Sequence, residues 1–123
     1  MSRELVVKVT CGAEAPERMN QGFTVAATAA ASGVPVSLWL TGDAVRAAVA
    51  ADAGGGVALD LPLATPIAEM LATVLEFGSV TVCGQCAARR SVGVEDLVAG
   101  ARIAGAAVFV EEVLRDGAQA VVY

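Results

Sequence analysis

The stretch ELVVKVTCGAEAPERMNQGFTVAATAAASGVPVSLWL, residues 4–40, holds two β-like runs around one helical run. Glu4 to Thr10 is dense in β-branched residues and breaks at Cys11-Gly12, which predicts a first strand ending at Cys11. Pro16 suits a first helical position, and Glu14 and Glu17 favour the positive end of a helix. Met19, Phe23, Ala26, Ala27 and Ala30 recur on one face, so a helix is predicted from Pro16 to Ser32. Gly33 is its natural stop, and Pro35 to Leu40 reads as a second strand. A strand, a helix and a strand in this order form a crossover unit, and crossover units imply parallel pairing.

The rest of the chain repeats the pattern. Thr41-Gly42-Asp43 precedes a predicted helix over Ala44 to Ala51, with Thr41 or Asp43 as its cap. Gly54-Gly55-Gly56 lacks the Lys-Ser/Thr ending of a nucleotide loop and reads as a surface loop. Thr65-Pro66 opens a helix in which Ile67, Met70, Leu71, Val74 and Leu75 keep the helical period, and Gly78 closes it. Ser79 to Val82 is a third strand, Ala101 to Ala104 a short extended stretch, Ala106 to Arg115 a helix and Gln119 to Tyr123 a last strand. The alternation predicts an α/β fold with a mainly parallel sheet covered by helices on both faces.

Composition narrows the function. The chain has 123 residues, enough for one domain over residues 1–123. Its 26 Ala and 20 Val dominate the hydrophobic residues, so the core is built of small side chains. A net charge of −5 with a single Lys leaves no broad basic face, which argues against nucleic acid as a partner. Residues 19–42 carry no charge, but Asn20, Gln21 and the central Gly33-Val34-Pro35 break the run, so a membrane span is not expected. Histidine is absent, which removes imidazole bases, Cys–His and Ser–His pairs, and His-containing zinc sites. Three Cys, an odd number in an acidic chain with no signal-peptide pattern, point to reduced or redox-active thiols in the cytoplasm.

In parallel sheets ligands collect beyond the carboxyl ends of the strands, and two such ends carry Cys11 and Cys83. Cys83-Gly84-Gln85-Cys86 follows a strand and precedes Arg89-Arg90. Backbone amides and guanidinium groups there favour thiolate over thiol, so at least one lowered thiol pKa is expected in this motif. The competing reading makes the cysteines small buried hydrophobes. Arg89 and Arg90 have their own alternative, as salt-bridge partners of Glu95 and Asp96. Three Cys without His fall short of a structural zinc site, so neither metal nor cofactor is expected. Trp39 reads as core or subunit interface.

The segments LVVKVTCGAEAPER, VSLWLTGDAV, VCGQCAARR and GAAVFVEEVLRDGAQAVVY together resemble the DsrE/DsrF-like family, including its small "predicted peroxiredoxin" branch. The resemblance covers nearly the whole chain. It implies a three-layer α/β/α sandwich with a mostly parallel, five-stranded sheet, assembled as a homo-oligomer, a trimer or hexamer. It also implies a role as persulfide sulfur carrier, or sulfurtransferase-type relay component, working between sulfur-donor and sulfur-acceptor proteins. In relay members a carrier Cys stands six residues before an Arg-Arg pair, the place Cys83 holds before Arg89-Arg90. By this resemblance Cys83 is the sulfur acceptor, Cys86 the resolving thiol, and Arg89 and Arg90 stabilise the thiolate, with Cys11 a further candidate. Gln85 stands where Pro is common in the peroxiredoxin-like branch. Two other functions compete: CxxC thiol-disulfide exchange, and a non-enzymatic oligomeric binding module with inert thiols.

Overall fold

The computed structural model of the protein describes residues 3–123. Five strands form one sheet: β1 (Glu4–Val9), β2 (Val36–Leu40), β3 (Ser79–Cys83), β4 (Arg102–Ala104) and β5 (Ala118–Val122). Their order is β4-β3-β2-β1-β5, and every neighbouring pair is parallel. Four α-helices connect them: α1 (Pro16–Ala31), α2 (Ile67–Phe77), α3 (Gly84–Arg89) and α4 (Ala106–Val113). The expected α/β architecture is present, with the predicted strands within a residue or two of their places.

Strand order explains the unequal layers. From β1 to β4 the chain steps across the sheet in one direction, then returns from β4 past three strands to place β5 beside β1. Crossovers between parallel strands are right-handed, so the reversed last crossover puts α4 on the face opposite α1 and α2. The α1/α2 face is apolar: Val7, Val9, Leu38, Leu40, Val80 and Val82 pack with Met19, Phe23, Met70 and Val74 in the main core. Alanines at 26, 27 and 30 let α1 lie close on this face. Alternation along each strand sends Val6, Lys8, Ser37, Trp39, Thr81 and Cys83 to the other face, where, among the described residues, the eight of α4 are the one helix above it.

That second face is held by a polar network rather than by aliphatic packing. Glu112 of α4 is 2% exposed. Its Oε1 accepts from the Ser37 hydroxyl and from Trp39 Nε1 at 3.0 Å, while its Oε2 accepts from Arg102 at 2.8 Å. Arg102 Nε donates in turn to Thr81 Oγ1 at 2.7 Å. One α4 carboxylate thus ties the helix to β2 and, through Arg102, to β4 and β3. Phe109, one turn earlier, meets the Trp39 ring edge-on at 5.3 Å between centroids.

Two expectations are corrected. The segment after β2 is not an α-helix over Ala44 to Ala51 but a 3-10 helix over Gly42–Ala48, followed by a second over Ala51–Ala53. Between them Val49 bridges Leu97, and Ala50 N–H donates to the Asp96 carbonyl at 2.8 Å, which draws the chain out of helical geometry. Neither Thr41 nor Asp43 caps this segment through its side chain, because Asp43 is engaged by arginines. The Gly54–Gly56 loop makes no phosphate cradle: its amides donate to the carbonyls of Ala51, Ala50 and Arg46. Among the described residues no helix is long and apolar enough to cross a membrane.

Candidate thiol site at the carboxyl edge of the sheet

Three loops converge at the carboxyl ends of β1, β2 and β3. Gly12 in the first lies so near the second that a Cβ on it would stand 2.8 Å from the Asp43 carbonyl oxygen. Gly42 has φ +54°, and its Cβ would come within 2.6 Å of the Thr10 carbonyl oxygen, so both the turn and the close approach call for glycine. This packing fixes Asp43, whose Oδ1 accepts from Arg90 Nε at 2.9 Å and from Arg46 Nε at 3.3 Å. Arg90 also donates through Nη1 to the Cys86 carbonyl at 3.1 Å. The clamp Asp43–Arg90–Cys86 fastens the CxxC turn to the loop beyond β2. Its effect on Asp43 is to hold the carboxyl below its ordinary pKa, the Arg90 hydrogen bond being the largest cause and Arg46 adding to it.

Cys83 is the last residue of β3, and Gly84 begins the six-residue α3. The sequence offered no helical period there because the element is barely more than a turn and a half. Its thiol is half-buried. Burial alone works to raise its pKa, but the Cys86 amide, the Cys86 thiol, the Gln85 amide and the Lys8 ammonium together outweigh it, so Cys83 is held below the ordinary thiol value. The amides act as dipoles directed at sulfur, since the Cys83 side chain makes no fully formed capping bond. Cys86 sits in the first turn of α3, partly buried against the main core, and its thiol is among the groups that lower the Cys83 pKa. Both thiols are free.

The remaining candidates lie apart from this pair. Cys11 is 3% exposed on the α1/α2 side of the sheet, and its thiol directs a weak 3.9 Å bond to the Ala15 carbonyl. Burial first, then Glu14, raise its pKa, with Arg18 opposing. β2 separates its strand from Cys83, and strand parity puts the two sulfurs on opposite faces. Arg89 is exposed, and Arg90 spends its Nε and Nη1 on Asp43 and the Cys86 carbonyl. The cation that lowers the Cys83 pKa is instead Lys8, a residue the sequence reading passed over. The alternative pairing of the arginines with Glu95 and Asp96 is also replaced: Arg90 pairs with Asp43, and Asp96 accepts from the Gly93 amide. Among the described residues no cluster of three or more His, Cys, Asp or Glu is placed to hold a metal.

The arrangement can present one sulfur as an anion, keep a second beside it, and shelter the third. The fold is shared with known proteins. The model of the DsrE/DsrF-like family matches residues 4–122, and the chain belongs to that family. Its fold is similar to that of the YchN protein from E. coli, with a TM-score of 0.78 at 17% identity, covering 100% of both chains. It is also similar to MTH1491 from Methanobacterium thermoautotrophicum, a protein of unknown function, with a TM-score of 0.71 at 9% identity, covering 99% of this chain and 100% of that one. No curated protein matches the sequence.

Proposed function

We propose that the protein is a persulfide sulfur carrier of relay type, with Cys83 as the sulfur acceptor. The observation that carries the reading is the setting of Cys83: a half-buried sulfur at the carboxyl edge of the sheet, with amides, a thiol and an ammonium favouring its anion. The chemistry balances without a cofactor. The Cys83 thiolate attacks the terminal sulfur of a donor protein's persulfide, the donor's S–S bond breaks, and the donor leaves as thiolate. An acceptor thiolate then attacks the terminal sulfur on Cys83, which departs as thiolate in its turn.

Cys86 supports the alternative of dithiol–disulfide exchange, because its thiol is three residues from Cys83 and among the groups that lower the Cys83 pKa. In that reading Cys86 attacks the inner sulfur of the Cys83 persulfide, releases hydrosulfide and closes a disulfide. Exposed apolar side chains on and near the α4 face, Val110, Leu114 and Val122, support self-association as a trimer or hexamer. Thiols that must stay reduced suit the cytoplasm.

The test is mass spectrometry after incubation with a cysteine desulfurase and cysteine. A carrier gains one sulfur on the Cys83 peptide, and Cys83→Ser gains none. A protein that only loses two hydrogens between Cys83 and Cys86 is a redox protein instead.

A further inference from the structure

We infer that Lys8, the only lysine of the chain, is the fixed cation that stabilises anionic sulfur on Cys83. The inference rests on the reading of Cys83 as the sulfur acceptor and names a residue in place of the arginine pair.

Strand register places Lys8. It pairs with Trp39 of β2, and Trp39 pairs with Thr81 of β3. Lys8 and Thr81 therefore flank Trp39 on the α4 face, and Cys83 lies on the same face two residues beyond Thr81, towards the carboxyl edge. Two strand spacings and two residue rises put their Cα atoms about 12 Å apart, a span over which partly buried charges are screened far less than exposed ones.

The ammonium is seated against α4. It stands 4.6 Å from the centroid of the Phe109 ring, a cation–π contact, and Phe109 is itself braced edge-on by Trp39. Glu112, bonded to Ser37, Trp39 and Arg102, fixes the helix that carries Phe109. Among the described residues no ion pair uses Lys8, whereas Arg46, Arg90, Arg102 and Arg115 are all paired with carboxylates. The other ion-paired groups on this face compensate each other, Glu112 with Arg102 at 2.8 Å and Glu4 with Arg115 at 3.1 Å. Lys8 thus contributes a positive charge that no carboxylate cancels, on the face where Cys83 must hold a thiolate or persulfide anion. The lowered pKa of Cys83, to which Lys8 contributes, agrees with this geometry.

The experiment follows the iodoacetamide reactivity of Cys83 against pH in the full chain, read peptide by peptide by mass spectrometry. Lys8→Met should move the profile to higher pH and slow alkylation near neutrality roughly three- to tenfold, while Lys8→Arg should keep most of the wild-type rate. A folded Lys8→Met variant whose profile overlays the wild type overturns the inference. Should Lys8→Met not fold, amine-selective acetylation of wild type with its thiols reversibly masked neutralises the same side chain, and an unchanged profile after unmasking has the same force. Sulfur loading keeps the two readings distinct. If wild type loads sulfur but its titration ignores Lys8, only the Lys8 inference falls. If the titration depends on Lys8 but no sulfur loads, the carrier reading falls and the electrostatic coupling stands.

Discussion

Truncating Glu112 to Ala should be among the most damaging single changes on the α4 face. The side chain is buried and accepts three donors, two of them on residues that are themselves buried, Ser37 and Trp39. Leaving the Trp39 indole N–H without an acceptor costs about 1–3 kcal/mol. The Ser37 hydroxyl adds up to about 1 kcal/mol, less if it turns to another acceptor. Arg102 is 51% exposed, so its freed guanidinium hydrates at little cost. The sum is about 3 kcal/mol, a large share of the roughly 5–15 kcal/mol that holds a domain together. With a urea slope of about 1.5 kcal/mol per molar, the unfolding midpoint should fall by about 2 M. Trp39 is the sole tryptophan and bonds directly to the mutated group, so its fluorescence reports the transition from inside the network. Glu112→Gln keeps an acceptor for the indole and should lose less, about 1–2 kcal/mol. An Ala variant within about 0.5 kcal/mol of wild type, or a Gln variant as unstable as the Ala one, refutes the account of how α4 is anchored.

Cys11 should resist thiol reagents in the native state near pH 8 and react only on unfolding, while Cys83 and Cys86 react at once; three fast thiols in a timed colorimetric assay would contradict its placement. Folding raises its pKa, so its stabilising contribution is present below the unfolded thiol pKa and declines as pH rises through the folded value. Asp43 has the opposite sign. Its folded pKa is lowered, so its contribution is present above the unfolded value near 3.9 and is lost as pH falls through the folded one. Asp43→Asn should flatten urea-measured stability against pH in that acid range, and an unchanged slope would show that the Arg90 clamp contributes nothing.

The fold was legible because local signals and global topology agree. Pro16, Gly33, Pro66, Gly78 and Gly117 punctuate the chain where elements change, and β-branched runs separate cleanly from the small-residue helix. What failed locally was decided by distant partners. Residues 44–51 carry a helical composition, yet Gly42 pinned under the Thr10 carbonyl and the Val49–Leu97 bridge pull them into 3-10 turns and extended chain. The six residues of α3 were too few for a period to appear. At the site, the CxxC spacing announced its two thiols, but the charges near them were misassigned by proximity in sequence. Arg89 and Arg90 are near Cys83 along the chain and committed or exposed in space. Lys8 lies 75 residues away and reaches the same face through two strand registers. Glu112 was equally silent, since an acidic residue in FVEEV gives no sign of which of two neighbours is buried.

The two faces of the sheet give Cys11 and Cys83 different settings. On the α1/α2 face Cys11 is buried in the main core, so a charge on its sulfur is opposed by burial and by Glu14, with only Arg18 against them. On the α4 face the reversed last crossover leaves one short helix as cover, and polar side chains replace the aliphatic ones that a second long helix would have required. That substitution has a chemical consequence. A thinly covered face leaves Cys83 half-exposed, as the proposed exchange with another protein's sulfur requires, while Phe109 and the Trp39–Glu112 network hold the Lys8 ammonium in a setting too apolar to screen it fully. A more thickly packed second face would bury Cys83 out of a partner's reach, and a fully solvated one would weaken the field that favours its anion. Strand order therefore bears on the chemistry, because it determines which of the two thiol-bearing strand ends stays accessible and, by the Lys8 inference, electropositive.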